Sequence, residues 1–157
     1  MPTGRTHLAV ELVTLPLWGA AGAAAGVGET PLAVFAASYA GASLLLSPDL
    51  DLPASDSGRR WGPARILWFP YTAACRHRGV SHSLLLGPLT RLVYLGALIS
   101  LGWWTLHLGA GVPPPRPIPA GLLLPILAGI YVPHLLHVGL DRTASLWGRA
   151  RLRLRRL

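Results

Sequence analysis

Four runs of apolar residues, each bounded by Gly, Pro or charged side chains, set the plan of this 157-residue chain. The first runs from Leu8 to Val27, interrupted only by Glu11 and Thr14, and is long enough as a helix to cross a hydrocarbon core of about 30 Å. A secretory signal peptide is the competing reading, given Arg5 and the small residues from Gly19 to Gly26, but His7 and Glu11 sit badly in its apolar region. The second run starts at Pro31 and reaches Leu46, where Pro48 disfavours helical geometry at Ser47. The third extends from His82 to Leu108, the Gly- and Pro-rich stretch from Gly109 to Pro119 makes a turn, and the fourth continues to Leu140 with Pro125 and Pro133 expected to kink it. The expected fold class is all-α: one domain over residues 1–148, a membrane-embedded bundle of about four transmembrane helices (8–27, 31–46, 82–108 and 119–140) with a surface loop over 47–81 and a basic tail over 149–157.

Polar residues interrupt this plan at few places. His7 and Glu11 are four apart and project from one face near the start of the first helix. In the segment Ser47-Pro48-Asp49-Leu50-Asp51, an extended backbone would present Asp49 and Asp51 together, and paired carboxylates repel unless a cation lies between them. A polar loop after a helix would look the same. The octapeptide Arg76-His77-Arg78-Gly79-Val80-Ser81-His82-Ser83 combines a glycine turn with Ser81 as the expected cap of a helix starting at His82. A helix N-terminus beside Arg76 and Arg78 suits an anion, and imidazoles at His77 and His82 suit a transition metal; a basic juxtamembrane loop with incidental histidines is the plainer reading. Late in the chain His134, His137 and Asp141 fall on one helical face, which favours a metal site over isolated core histidines. Arg91 lies at a costly depth within the third run, about 180° around an ideal helix from His82, so it either serves a site or snorkels to the headgroups. The aromatic residues Trp61, Trp68, Phe69 and Tyr71 of the surface loop fit either headgroup level or packing over the bundle end.

Composition supports the membrane reading: 52% hydrophobic against 13% charged residues, with a mean hydropathy of +0.46, is not that of an ordinary soluble domain. The lone Cys75 excludes an intramolecular disulfide. A net charge of +8 rests on arginine alone, and four spans would put twelve of the fourteen arginines on the face shared by both termini, with Arg116 opposite and Arg91 inside. By the positive-inside rule that face is cytoplasmic, and the tail from Arg149 should lie on anionic headgroups. The same arrangement sorts nearly every acidic residue and histidine to the cytoplasmic end, leaving Glu29 and His107 on the far side. Nucleic-acid binding by the tail is disfavoured beside headgroup contact, and no phosphate-binding glycine loop or Ser-His-Asp order is present.

Taken together, His7, the Ser-Pro-Asp-Leu-Asp segment and the Arg-His-Arg-Gly-Val-Ser-His-Ser octapeptide resemble the bacterial uncharacterised metal-binding membrane proteins, a family similar to the predicted membrane-bound metal-dependent hydrolases. Those hydrolases show an early His, a Pro-Asp-x-Asp, a His-Arg-Gly-x-Thr-His-Ser with Ser81 here in place of the Thr, then a late His and Asp. The resemblance implies metal ligands at His7, Asp49, Asp51, His77 and His82, joined by His137 and Asp141, in a multi-pass protein of the bacterial inner membrane. The expected cofactor is one or two divalent ions of zinc type, and the expected activity is hydrolysis of a phosphoester or other anionic substrate, such as a lipid headgroup, at the membrane surface. In that scheme Arg76 and Arg78 hold the anion, and Glu11, or an aspartate that is not a ligand, acts as general base. A non-catalytic metal protein for sensing, storage, transfer or structure is the alternative, and membrane lipids are the expected neighbours.

Overall fold

The computed structural model describes residues 3–52, 55–75 and 79–154, with side chains described as far as Arg149. Arg76, His77, Arg78 and the last three residues of the tail lie outside them. The described elements are α1 (Gly4–Ala24), α2 (Glu29–Leu45), α3 (Asp56–Arg60), α4 (Phe69–Ala74), α5 (Leu86–Ala110) and α6 (Ala120–Leu154), with 3-10 turns at Pro48–Asp51 and Gly62–Trp68. No strand occurs among the described residues. Among the described residues four segments are long and apolar enough to cross a membrane: Gly4–Ala24, Glu29–Asp51, Leu86–Ala110 and Ala120–Arg149.

The helix boundaries follow local chemistry that the apolar runs do not show. α1 starts one turn before the apolar run because the Thr3 hydroxyl accepts the Thr6 amide at 3.3 Å, an N-cap that draws His7 into the helix. It ends at a tight reversal that needs Gly26 at φ 77°, where the Val27 amide bonds the Gly22 carbonyl at 3.0 Å. α5 starts at Leu86 and not at His82. The Ser83 hydroxyl takes the Leu86 amide at 3.3 Å and Pro88 sits in the first turn, whereas Ser81, the expected cap, is fully buried with a hydroxyl that makes no hydrogen bond among the described residues. This four-residue delay also removes the angular argument relating Arg91 to His82, since the two do not share one helix. The fourth helix does not stop at Leu140: α6 continues for 35 residues through Pro125 and Pro133 to Leu154, taking much of the expected tail into the helix.

The segment after α2 is likewise not extended. Pro48 at the first position of a 3-10 turn, with the Ser47 hydroxyl 3.4 Å from the Asp49 amide, winds Asp49 and Asp51 onto different faces. Leu50 at its centre packs with Trp68 and Tyr71 in a buried cluster bordered by Trp61, Tyr94 and Leu95. Trp68 meets Tyr71 edge to face at 5.6 Å. The loop aromatics therefore divide: Trp68 and Tyr71 are core, Trp61 is half-buried and donates its indole N–H to the Leu45 carbonyl at 2.9 Å, and Phe69 is exposed.

The long helices do not form an even bundle. α2 and α6 make the most extensive interface, α1 packs on α2, and α5 meets α6 sparsely. The close approach of α2 to α6 depends on Gly129, where a Cβ would stand 2.6 Å from the Phe35 carbonyl oxygen and 2.7 Å from Ser38 Cβ. α1 is tied to α2 by Tyr39, whose fully buried hydroxyl donates to the Glu11 carbonyl at 3.0 Å and meets Thr14 Oγ1 at 3.0 Å. Much of α5 faces outward, with Val93, Ile99, Leu101 and Leu108 exposed.

Candidate metal centre

At the end of the bundle where α1 begins, four segments converge. α1 brings His7 and Glu11 to one side; the 3-10 turn brings Asp49; the loop before α5 brings His82; α6 brings His137 and Asp141. Among the described residues two triads of possible ligand atoms result, His7 with His137 and Asp141, and Asp49 with His82 and His137, each within 4.8 Å. His137 belongs to both. The links between them are His7 Nε2 to Asp141 Oδ1 at 3.2 Å, His82 Nε2 to Asp141 Oδ2 at 3.5 Å, His82 Nε2 to Asp49 Oδ1 at 3.7 Å and His137 Nε2 to Asp49 Oδ2 at 3.5 Å. Three of these four are longer than a good N–H···O hydrogen bond. They match the separation of about 3.4 Å between donors that share a tetrahedral ion at 2.0–2.1 Å.

The hydrogen bonds around the histidines sort them. His137 is 1% exposed, and its Nδ1 lies 3.2 Å from Glu11 Oε1, so Nδ1–H donates to the carboxylate. That leaves Nε2 with its lone pair toward Asp49 and no hydrogen bond among the described residues, an arrangement that calls for a cation or proton between them. A carboxylate behind a histidine is the usual partner of a ligating imidazole, fixing its tautomer and orientation. The His7 ring is 2% exposed and stacks on His137 at 3.8 Å, and its Nδ1 makes no hydrogen bond among the described residues. Glu11, expected as a general base, is itself 2% exposed and in contact with His137.

His134 lies one turn before His137 but does something else. Its Nε2 is 3.0 Å from the Ser83 carbonyl, which can only accept, and its Nδ1 is 2.8 Å from Arg91 Nη2, which can only donate. Both nitrogens are therefore occupied by one neutral tautomer, and of the three polar residues of this stripe only His137 and Asp141 belong to the triads. Arg91 is 2% exposed and does not snorkel. Besides His134 it donates to the carbonyls of Gly87 at 3.0 Å, Ser81 at 3.3 Å and Leu46. The carbonyls on either side of His82 are thus held, Ser81 by Arg91 and Ser83 by His134.

Asp51 is buried in the 3-10 turn and belongs to neither triad. The ligand role of His77 and the anion-holding role of Arg76 and Arg78 lie outside the described residues. A groove of about 470 Å³ that the apolar runs do not mark opens from His82 and Asp141 along α6 past Arg142, Ser145, Leu146 and Arg149. The helical spacing of Arg142 and Arg149 after Asp141 signals it only if α6 extends past Leu140, as it does.

A helical chain that gathers imidazoles and carboxylates from four segments into overlapping triads has the layout of a metal-binding protein. The chain belongs to the uncharacterized metal-binding protein family (DUF2227), whose description matches residues 2–113. That match takes in His7, Glu11, Asp49 and His82, while His137 and Asp141 on α6 fall after it. An uncharacterized protein of Aquifex aeolicus (strain VF5) is 44% identical over 61 residues, 39% of this chain and 43% of that protein, so the chain matches less than half of the relative's length. No solved structure matches the chain.

Proposed function

We propose that this is a multi-pass protein of the bacterial cytoplasmic membrane, with both termini cytoplasmic, that holds one or two zinc-type ions and hydrolyses an anionic ester at the membrane surface. The convergence of the two triads on His137, backed by Glu11, carries this reading. The outward apolar side chains of α1 and α5 and the one-sided arginines support the membrane setting. Imidazole donors favour a transition ion of zinc type over Mg²⁺ or Ca²⁺, which take oxygen shells.

His7, Asp49, His82, His137 and Asp141 would hold the ion or ions. When bound, zinc lowers the pKa of water and polarises an ester oxygen. The residues do the rest. Glu11 fixes the His137 ring, and the buried His7 and His137 close the site toward α1. The side chains of His82 and Asp141 are 12% and 13% exposed and face the groove, leaving an approach from outside. Asp49, with its side chain 23% exposed, is the carboxylate placed to take up a proton wherever it is not a ligand.

The test is metal analysis of the purified full chain after zinc loading, followed by a screen of phosphoester and acyl-ester substrates. About one or two zinc ions per chain, lost in His137→Ala, and turnover that needs the metal are expected. A wild-type protein that retains no metal refutes the site; a loaded protein inactive on every substrate refutes the hydrolase and leaves the metal-holding role.

A further inference from the structure

The groove along α6 has features that metal holding alone does not require. With 100° per residue and Asp141 as origin, Ser145 lies at about 40°, Val138 at 60°, Arg149 at 80°, Arg142 at 100° and Leu146 at 140°. One stripe of α6 thus lines the groove, with Asp141 at its edge toward the metal cluster. Arg142 and Arg149 are two turns apart, about 10 Å along the axis. Both are exposed, and among the described residues neither is in an ion pair, unlike Arg59, which is bonded to Asp56. A space of about 470 Å³ is far more than an ion needs.

We infer that this groove is the seat of a phosphate ester, with its phosphate at the His82 and Asp141 end beside Arg142 and its remainder running past Leu146 toward Arg149. The inference rests on the proposed metal site and names the substrate class for it. Guanidinium forks pair with phosphate oxygens through two parallel hydrogen bonds, and two of them line this groove. Val138 and Leu146 give the groove apolar wall as well as charge, so it suits an ester with a carbon skeleton better than a bare anion. The ester has two possible sources, a soluble phosphoester or the headgroup of a phospholipid.

The experiment is equilibrium binding to the full chain in neutral-lipid nanodiscs, with glycerol 3-phosphate and dihexanoyl phosphatidic acid as probes and zinc content measured on the same samples. Arg142→Gln and Arg149→Gln should each weaken binding about tenfold, with zinc content unchanged, because neither side chain can ligate the ion. Arg116→Gln, remote from the groove, should bind as wild type. Equal dependence of both probes on the arginines assigns the groove to soluble phosphoesters; dependence for phosphatidic acid alone assigns it to a lipid headgroup. Wild-type affinity in the double variant, or no binding of either probe to the wild-type protein, overturns the seat. Arginine-dependent binding by a protein that takes up no zinc overturns the metal reading and leaves the phosphate seat standing.

Discussion

Replacing Glu11 separates the role its position indicates from the role of a general base. The carboxylate is 2% exposed and sits 3.2 Å from His137 Nδ1, so its effect on a metal is exerted through the imidazole. Removing such a partner typically costs about 10- to 100-fold in metal affinity. That corresponds to about 1.4–2.7 kcal/mol. Glu11→Gln keeps an acceptor for Nδ1–H and loses only the charge, so it should sit at the tenfold end. Glu11→Ala leaves Nδ1 buried and unpaired and frees the ring to turn, so it should approach 100-fold. Competition with a chromogenic zinc chelator, on micelle-solubilised protein checked for helix content, gives the dissociation constants directly. An unchanged constant in Glu11→Ala together with lost turnover would refute this reasoning in favour of the general-base role, and the loss of a whole binding site would make Glu11 a ligand.

The other predictions concern the framework. Arg91→Met strands the Leu46 and Ser81 carbonyls and His134 Nδ1; at about 1–3 kcal/mol for each, less the relief of no longer burying a cation, unfolding in mixed micelles should show a loss of about 3 kcal/mol. Gly129→Ala should destabilise although alanine is the better helix former by about 1 kcal/mol, because its Cβ meets the α2 backbone, whereas Gly96→Ala on α5, with nothing within 4 Å, should be neutral or stabilising.

Much of the helix plan could be read from the chain because length and hydropathy depend on composition over twenty residues, which local interactions barely alter. The gathering of His7, Asp49, His82, His137 and Asp141 at one end was legible for a related reason: long apolar runs that reverse direction at each turn bring their alternate ends to the same side. Phase was not legible. Whether Ser81 or Ser83 takes the amides of the first turn of α5 depends on contacts with α6 forty or fifty residues away, and on that choice hangs the direction in which Arg91 points. The same limit applies to Asp49 and Asp51, alike in an extended segment and unlike in the 3-10 turn favoured by Pro48 and the Ser47 hydroxyl. His134 and His137 could not be told apart by spacing, since both fit a helical stripe with Asp141. Only the partners on their ring nitrogens distinguish them.

Those partners also show how the site is held together. Two of the candidate ligands, Asp49 and His82, come from irregular segments, which would ordinarily be the least ordered parts of such a site. Arg91 donates at once to Leu46, three residues before Asp49, and to Ser81, immediately before His82, while His134 on α6 holds Ser83 immediately after it. One buried cation on α5 and one neutral imidazole on α6 thereby fix both segments relative to the helices that carry the remaining ligands. Burying a guanidinium is costly, and here several acceptors offset that cost. The groups so ordered are backbone carbonyls, so this bracing draws on no side-chain atom of Asp49 or His82. The ordering of the site therefore resides in the framework, and an ion entering it meets donors already drawn together, in contrast to small metal domains that fold only around their ion.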